Sequence, residues 1–215
     1  MSDNTHASPS TPFSPWNRTF LFSAGWALVL LIASLVFNFY AGVYATESAS
    51  NAVTDIVLSN IRVFDVDSLF VYGFLFLLLY IAFLCIQRPQ RLPFTVKTIA
   101  LFVLVRSVFI SLTHIGPYPI PLDVDTNVLR GFFFGGDLFF SGHTGLPFLM
   151  ALIFWGTRFL RYVFLAASIT FGCVVLLGHL HYSIDVLAAF FITYTIYHIA
   201  TRAFTTDYKI FSQQL

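Results

Sequence analysis

The chain has 215 residues, of which 58% are hydrophobic and 10% charged, with a formal net charge of +1. A soluble domain carries roughly 45–50% apolar and about 25% charged residues, so this composition belongs in a bilayer. It also excludes a nucleic-acid binder, which needs a clustered basic surface to displace counterions from phosphates.

Residues 1–18 form a polar tail rich in Ser, Thr and Pro. Six apolar runs follow, each near the roughly 20 residues that a helix needs to cross about 30 Å of hydrocarbon. They cover Thr19–Tyr40, Ser68–Ile86, Lys97–Leu112, Leu138–Trp155, Tyr162–Gly178 and Ser183–Thr201. The first run is too long for the core of a cleavable signal peptide and is kept as a span. The expected fold class is therefore all-α, a six-transmembrane-helix bundle. Residues 19–203 form one catalytic membrane domain and residues 204–215 a C-terminal tail. Cys85 and Cys173 both fall inside apolar runs and suggest no disulfide framework.

Lys and Arg near helix ends accumulate on the cytoplasmic side. Arg18, Arg88, Arg91, Lys97, Arg158, Arg161, Arg202 and Lys209 lie on the side of the N-terminus, whereas Arg62 and Arg130 lie opposite. Both termini are thus expected in the cytoplasm. The opposite loops are acidic, with Glu47, Asp55, Asp65, Asp67, Asp123, Asp125 and Asp137. The first of them, Ala45–Asp67, mixes apolar and polar residues in a way that suits an interfacial helix. The second, Ile115–Asp137, holds Gly116, Pro117, Pro119 and Pro121, which interrupt helix, and ends on a Gly135-Gly136-Asp137 turn.

The fourth run opens as Gly-Gly-Asp-Leu-Phe-Phe-Ser-Gly-His-Thr-Gly (135–145), and the sixth is preceded by His-Leu-His-Tyr-Ser-Ile-Asp-Val (179–186). The 38 residues from His143 to His181 cover two crossings and a turn, which returns the chain to the same membrane face. On a helix, His181 and Asp185 share one side, so the carboxylate can orient the imidazole. His181 then attacks phosphorus while His143 protonates the departing alkoxide. Backbone N–H groups around Ser141, Gly142 and His143 sit at a helix N-terminus suited to phosphate oxygens. Arg106, deep in the third run, adds a charge that usually marks function in a membrane. Asp137 either orients a catalytic group or caps the fourth helix. His179 is an outer partner or a surface residue of the short turn, and the many Phe residues are more simply packing than a choline-binding cage.

The string Gly-Asp-Leu-Phe-Phe-Ser-Gly-His-Thr (136–144), followed by His-Tyr-Ser-Ile-Asp-Val (181–186), closely resembles sphingomyelin synthases and their relatives within the type-2 phosphatidic acid phosphatase superfamily. The segment from Arg106-Ser107 through Leu112-Thr113 to Gly-Pro-Tyr-Pro extends that resemblance, which covers about residues 106–190. It implies a His143, His181 and Asp185 triad on the exoplasmic face, with no metal and no cofactor. Val175 and Leu176 stand where phosphatase members carry an arginine, which favours the synthase-like branch. The implied function is a lipid head-group phosphotransferase, with a membrane phospholipid as donor and a lipid alcohol such as ceramide or diacylglycerol as acceptor. A lipid phosphate phosphatase or phospholipase C-like hydrolase, with water as acceptor, is the alternative. The short chain suits a bacterial inner membrane, with Golgi or plasma membrane as the other settings.

Overall fold

The computed structural model describes residues 17–119 and 139–215. Among the described residues the secondary structure is entirely helical. Helix α1 (Arg18–Glu47) starts at Asn17, whose side chain accepts from the Thr19 N–H. A π turn at Leu69–Gly73 leads into α2 (Phe74–Gln87), and Pro93 sits in the first turn of α3 (Leu92–Leu112), where its missing N–H is harmless. Then come α4 (Gly142–Ile153), α5 (Arg158–Leu177), α6 (Ser183–Ala203) and α7 (Thr205–Ser212).

Among the described residues, five helical stretches are long and apolar enough to cross a membrane: Arg18–Glu47, Leu69–Gln87, Pro89–Leu112, Arg158–Leu177 and Ser183–Ala203. Their exposed faces carry large apolar side chains such as Phe22, Phe37, Phe76, Ile169 and Phe191, which suit acyl chains. The chain is thus an integral membrane protein. Of the six expected spans, the fourth differs. It is a 12-residue helix, about 18 Å long, which is short of the ~30 Å of hydrocarbon.

That short helix sits at the centre. Leu149, Met150 and Phe154, just past the end of α4, pack with Phe94 of α3, Phe164 of α5, Ile196 of α6 and Phe211 of α7. Away from the site, Lys97 donates to Asp207 (2.6 Å) and to Ser23 (2.8 Å), and Ser23 donates to Asp207 (2.6 Å), which joins α3, α7 and α1.

The segment between α1 and α2 corrects an expectation, because no interfacial helix forms over 45–67. Helix α1 runs to Glu47, and beyond it only the single 3-10 turn Leu58–Asn60 is helical before the continuous helical stretch that begins at Asp67 and leads through the π turn into α2. The backbone groups of this strap find partners elsewhere, so an i to i−4 ladder has nothing to gain. The Ser50 N–H donates to the carbonyl of His114 (2.8 Å), the Gly116 N–H to that of Asn51 (3.4 Å), and the Phe64 N–H to that of Leu177 (2.9 Å). A Cβ on Gly116 would lie 2.1 Å from the Ser50 carbonyl oxygen, so only glycine permits this approach.

Candidate active site

Helix α4 begins where the sequence motif lies. Ser141 is extended at the N-cap and its hydroxyl accepts from the Thr144 N–H (3.3 Å) and the Thr144 hydroxyl (3.2 Å). The Ser141 N–H donates to the carbonyl of Asp185 (3.2 Å), so the start of α4 is bonded directly to the start of α6. The Thr144 carbonyl accepts from Ser168 of α5 (2.8 Å).

His143 occupies the second position of α4 and is buried. Its imidazole lies between two phenyl rings, with Phe70 stacked at 3.9 Å and Phe74 tilted at 4.0 Å. The ring also hydrogen-bonds to the backbone of Phe70, and His181 and Arg106 act on it electrostatically. The π turn Leu69–Gly73 runs directly from Phe70 towards Phe74; such turns commonly occur at functional sites. Neither phenylalanine stands out from its run in the sequence, because each reads as lipid-facing filler.

Arg106 is buried on α3, and its Nε donates to the carbonyl of Phe140 (3.0 Å). A guanidinium nitrogen also reaches Asn38 Oδ1 of α1 (3.5 Å). Asn38 is a second partner that the sequence signalled only as a lone amide in an apolar run. Gly142 faces the arginine closely, since a Cβ there would sit 3.4 Å from Nε. The guanidinium and the N-terminus of α4 therefore converge on one point, where backbone donors and the helix dipole favour an anion.

The two ends of the His181-Tyr182-Ser183-Ile184-Asp185 segment meet, but not along a helix as expected. Helix α6 starts only at Ser183 with Tyr182 as its cap, so His181 lies outside it. The Asp185 carboxylate curls back to accept from the Tyr182 N–H (2.9 Å), which brings the same oxygen to 3.5 Å from His181 Nδ1. Both side chains are buried, and Nδ1 faces the carboxylate, so Nε2 is the ring nitrogen turned to other work. In catalytic sites, contacts of this length often tighten to hydrogen bonds only once a substrate is bound.

The turn before His181 is tight. The Leu180 N–H donates to the Val175 carbonyl (2.8 Å) and the His179 N–H to that of Leu176 (3.1 Å), a Schellman closure of α5. His179 takes the left-handed position with φ of 53°, where glycine is usual, and its buried ring stands edge-on to Tyr118 at 5.1 Å. Asp137 lies outside the described residues. His143, His181, Asp185, Arg106, Ser141 and Gly142 all lie at one end of the bundle.

No curated protein and no solved structure matches the chain. Residues 135–202, which hold both histidine motifs, match the family model described as PAP2 superfamily C-terminal, a similarity that supports the type-2 phosphatidic acid phosphatase superfamily and, with it, an enzyme of the lipid phosphatase or phosphotransferase type.

Proposed function

We propose that the chain is a phospholipid phosphotransferase of the sphingomyelin synthase-like kind, with His143, His181 and Asp185 as its catalytic residues. The observation that carries this reading is the contact between Asp185 and His181 Nδ1 beside the N-terminus of α4, where His143 and Arg106 converge. Asp185 holds the imidazole so that Nε2 attacks phosphorus. The N–P bond forms as the P–O bond to the diacylglycerol breaks, and His143 gives its proton to the departing alkoxide. A lipid alcohol then enters, loses its proton to His143 and attacks the phosphohistidine, which breaks the N–P bond. Arg106 and the N–H groups around Ser141, Gly142 and His143 balance the phosphoryl charge. By the basic residues at its other end, the bundle holds both termini in the cytoplasm and this site on the exoplasmic face. No metal or cofactor has a part in these steps.

Purified protein in vesicles of phosphatidylcholine, phosphatidylethanolamine and phosphatidic acid, with and without ceramide or diacylglycerol, tests the reading by lipid mass spectrometry. A head-group product that requires the added alcohol is expected. Free phosphate or a phosphorylated head group released without acceptor would make the protein a hydrolase instead. Turnover undiminished in His181→Ala would remove the proposed nucleophile.

A further inference from the structure

Asp55 is a buried carboxylate that the proposed reaction does not use. One oxygen accepts from the N–H groups of Val57 (2.8 Å) and Leu58 (3.1 Å), its own strap. The other crosses to α6 and accepts from the Ser183 N–H (2.7 Å) and the Ser183 hydroxyl (2.8 Å). Ser183 opens α6, so its N–H is one of the donors a helix cannot satisfy internally, and the positive end of the dipole favours the carboxylate. Burial raises the Asp55 carboxyl, yet the hydrogen bonds from Ser183, Leu58 and Val57 outweigh it and hold the group below its ordinary value.

The neighbouring residue is held from the same side. The Tyr182 hydroxyl donates to the Gly116 carbonyl (2.8 Å) and accepts from the Val53 N–H (3.2 Å), so the strap reaches both residues at the cap of α6. Tyr182, Ser183 and Ile184 separate His181 from Asp185, and the Tyr182 N–H donates to the Asp185 carboxylate.

We infer that Asp55 is a positioning residue: by clamping Ser183 it fixes the cap of α6 and thereby the facing of His181 and Asp185. This rests on the proposed roles of those two residues. Asp55 does not touch the reacting atoms, since its contacts are taken up by the strap and by Ser183. Asn is nearly isosteric but turns one oxygen into an NH2 group, which then faces either the two backbone N–H donors of Val57 and Leu58 or the N–H donor of Ser183.

Steady-state turnover of the full chain in vesicles of phosphatidylcholine, phosphatidylethanolamine and phosphatidic acid with ceramide, beside its melting temperature, tests the inference. Asp55→Asn is expected to lower kcat about 100-fold per folded molecule, the effect of roughly 1 Å of misplacement, with KM nearly unchanged. Ser183→Ala keeps the backbone bond and loses the hydroxyl bond, so kcat falls about tenfold. Unchanged kcat in Asp55→Asn, or a change confined to KM, overturns the inference. Where Asp55→Asn does not fold, Ser183→Ala decides in the same way. His181→Ala separates the two failures. If it is inactive while Asp55→Asn is fully active, only the Asp55 role falls. If it is active, the reading of the site falls and the inference with it.

Discussion

Helices α1 and α4 are both apolar, yet they solve different problems. Six residues of the 30 in α1 are buried, Phe20, Ala27, Ser34, Ala41, Gly42 and Ala45, whereas ten of the 12 in α4 are. Phe20, Ala27, Ser34 and Ala41 recur every seven residues, a spacing that keeps one seam along a helix, and small side chains let α1 approach α3 closely. Apart from polar contacts such as those of Ser23 and Asn38, α1 exposes large apolar side chains, Phe22, Phe37 and Tyr40 among them, that suit lipid. In a bilayer both surroundings are apolar, so hydrophobicity does not separate a lipid-facing helix from a core helix. What separates them is the size and spacing of the small residues and the polar groups the helix must place.

The largest expected contrast is in chemistry. His143→Ala in α4 should lower turnover about 10²–10⁴-fold, the usual contribution of a positioned general acid. Phe37→Ala on the exposed face of α1 should leave turnover within about twofold, as surface changes do. Product formation followed by mass spectrometry reads both, and equal losses would break the distinction between the helices.

Packing gives the next effect. A Cβ on Gly145 of α4 would lie 2.8 Å from Phe102 and 2.9 Å from Thr193, so Gly145→Ala should destabilise by about 1–3 kcal/mol in detergent thermal melts. A melt as stable as the parent would mean that the α3–α4–α6 contact is looser than described.

Asp55 adds a pH-dependent effect beside α4. Its carboxyl is held below the ordinary value, so its contribution is complete above the unfolded pKa of about 3.9 and disappears as pH falls through the lower folded value. The melting-temperature difference between the parent chain and Asp55→Asn should be full at pH 6 and shrink in strong acid. A difference that grew with acid would reverse the sign and refute the assignment.

The smallest effect belongs to α1. A Cβ on Gly25 would meet no atom within 4 Å, so Gly25→Ala should stabilise by roughly 0.4–1 kcal/mol. A loss of stability there would place α1 against something other than lipid.

Much of this was legible in the sequence because membrane spans and a polar motif inside an apolar run are strong signals. Helix α6 starts at Ser183, where its apolar run begins, but His181 is left outside it, and α4 starts at Gly142, four residues past the start of its apolar run, because Ser141 caps it. The strap was not legible. Its order comes from hydrogen bonds to residues about 60 to 130 positions away, such as Ser50 to His114 and Asp55 to Ser183, and no local periodicity records such partners. Asn38 and Arg106 are a further case, since the two polar residues are each visible but the crossing of α1 and α3 that joins them is not.

The phenyl sandwich around His143 bears on stereochemistry. An imidazole gives up its proton from a ring nitrogen, in the plane of the ring, and Phe70 stacked at 3.9 Å and Phe74 tilted at 4.0 Å fix that plane, so a leaving oxygen must arrive at the ring's edge. Under the proposed double displacement, phosphorus is then attacked opposite the departing group in each half-reaction. Two inversions leave net retention, and a donor made chiral at phosphorus with oxygen isotopes or sulfur would yield a product of the same handedness.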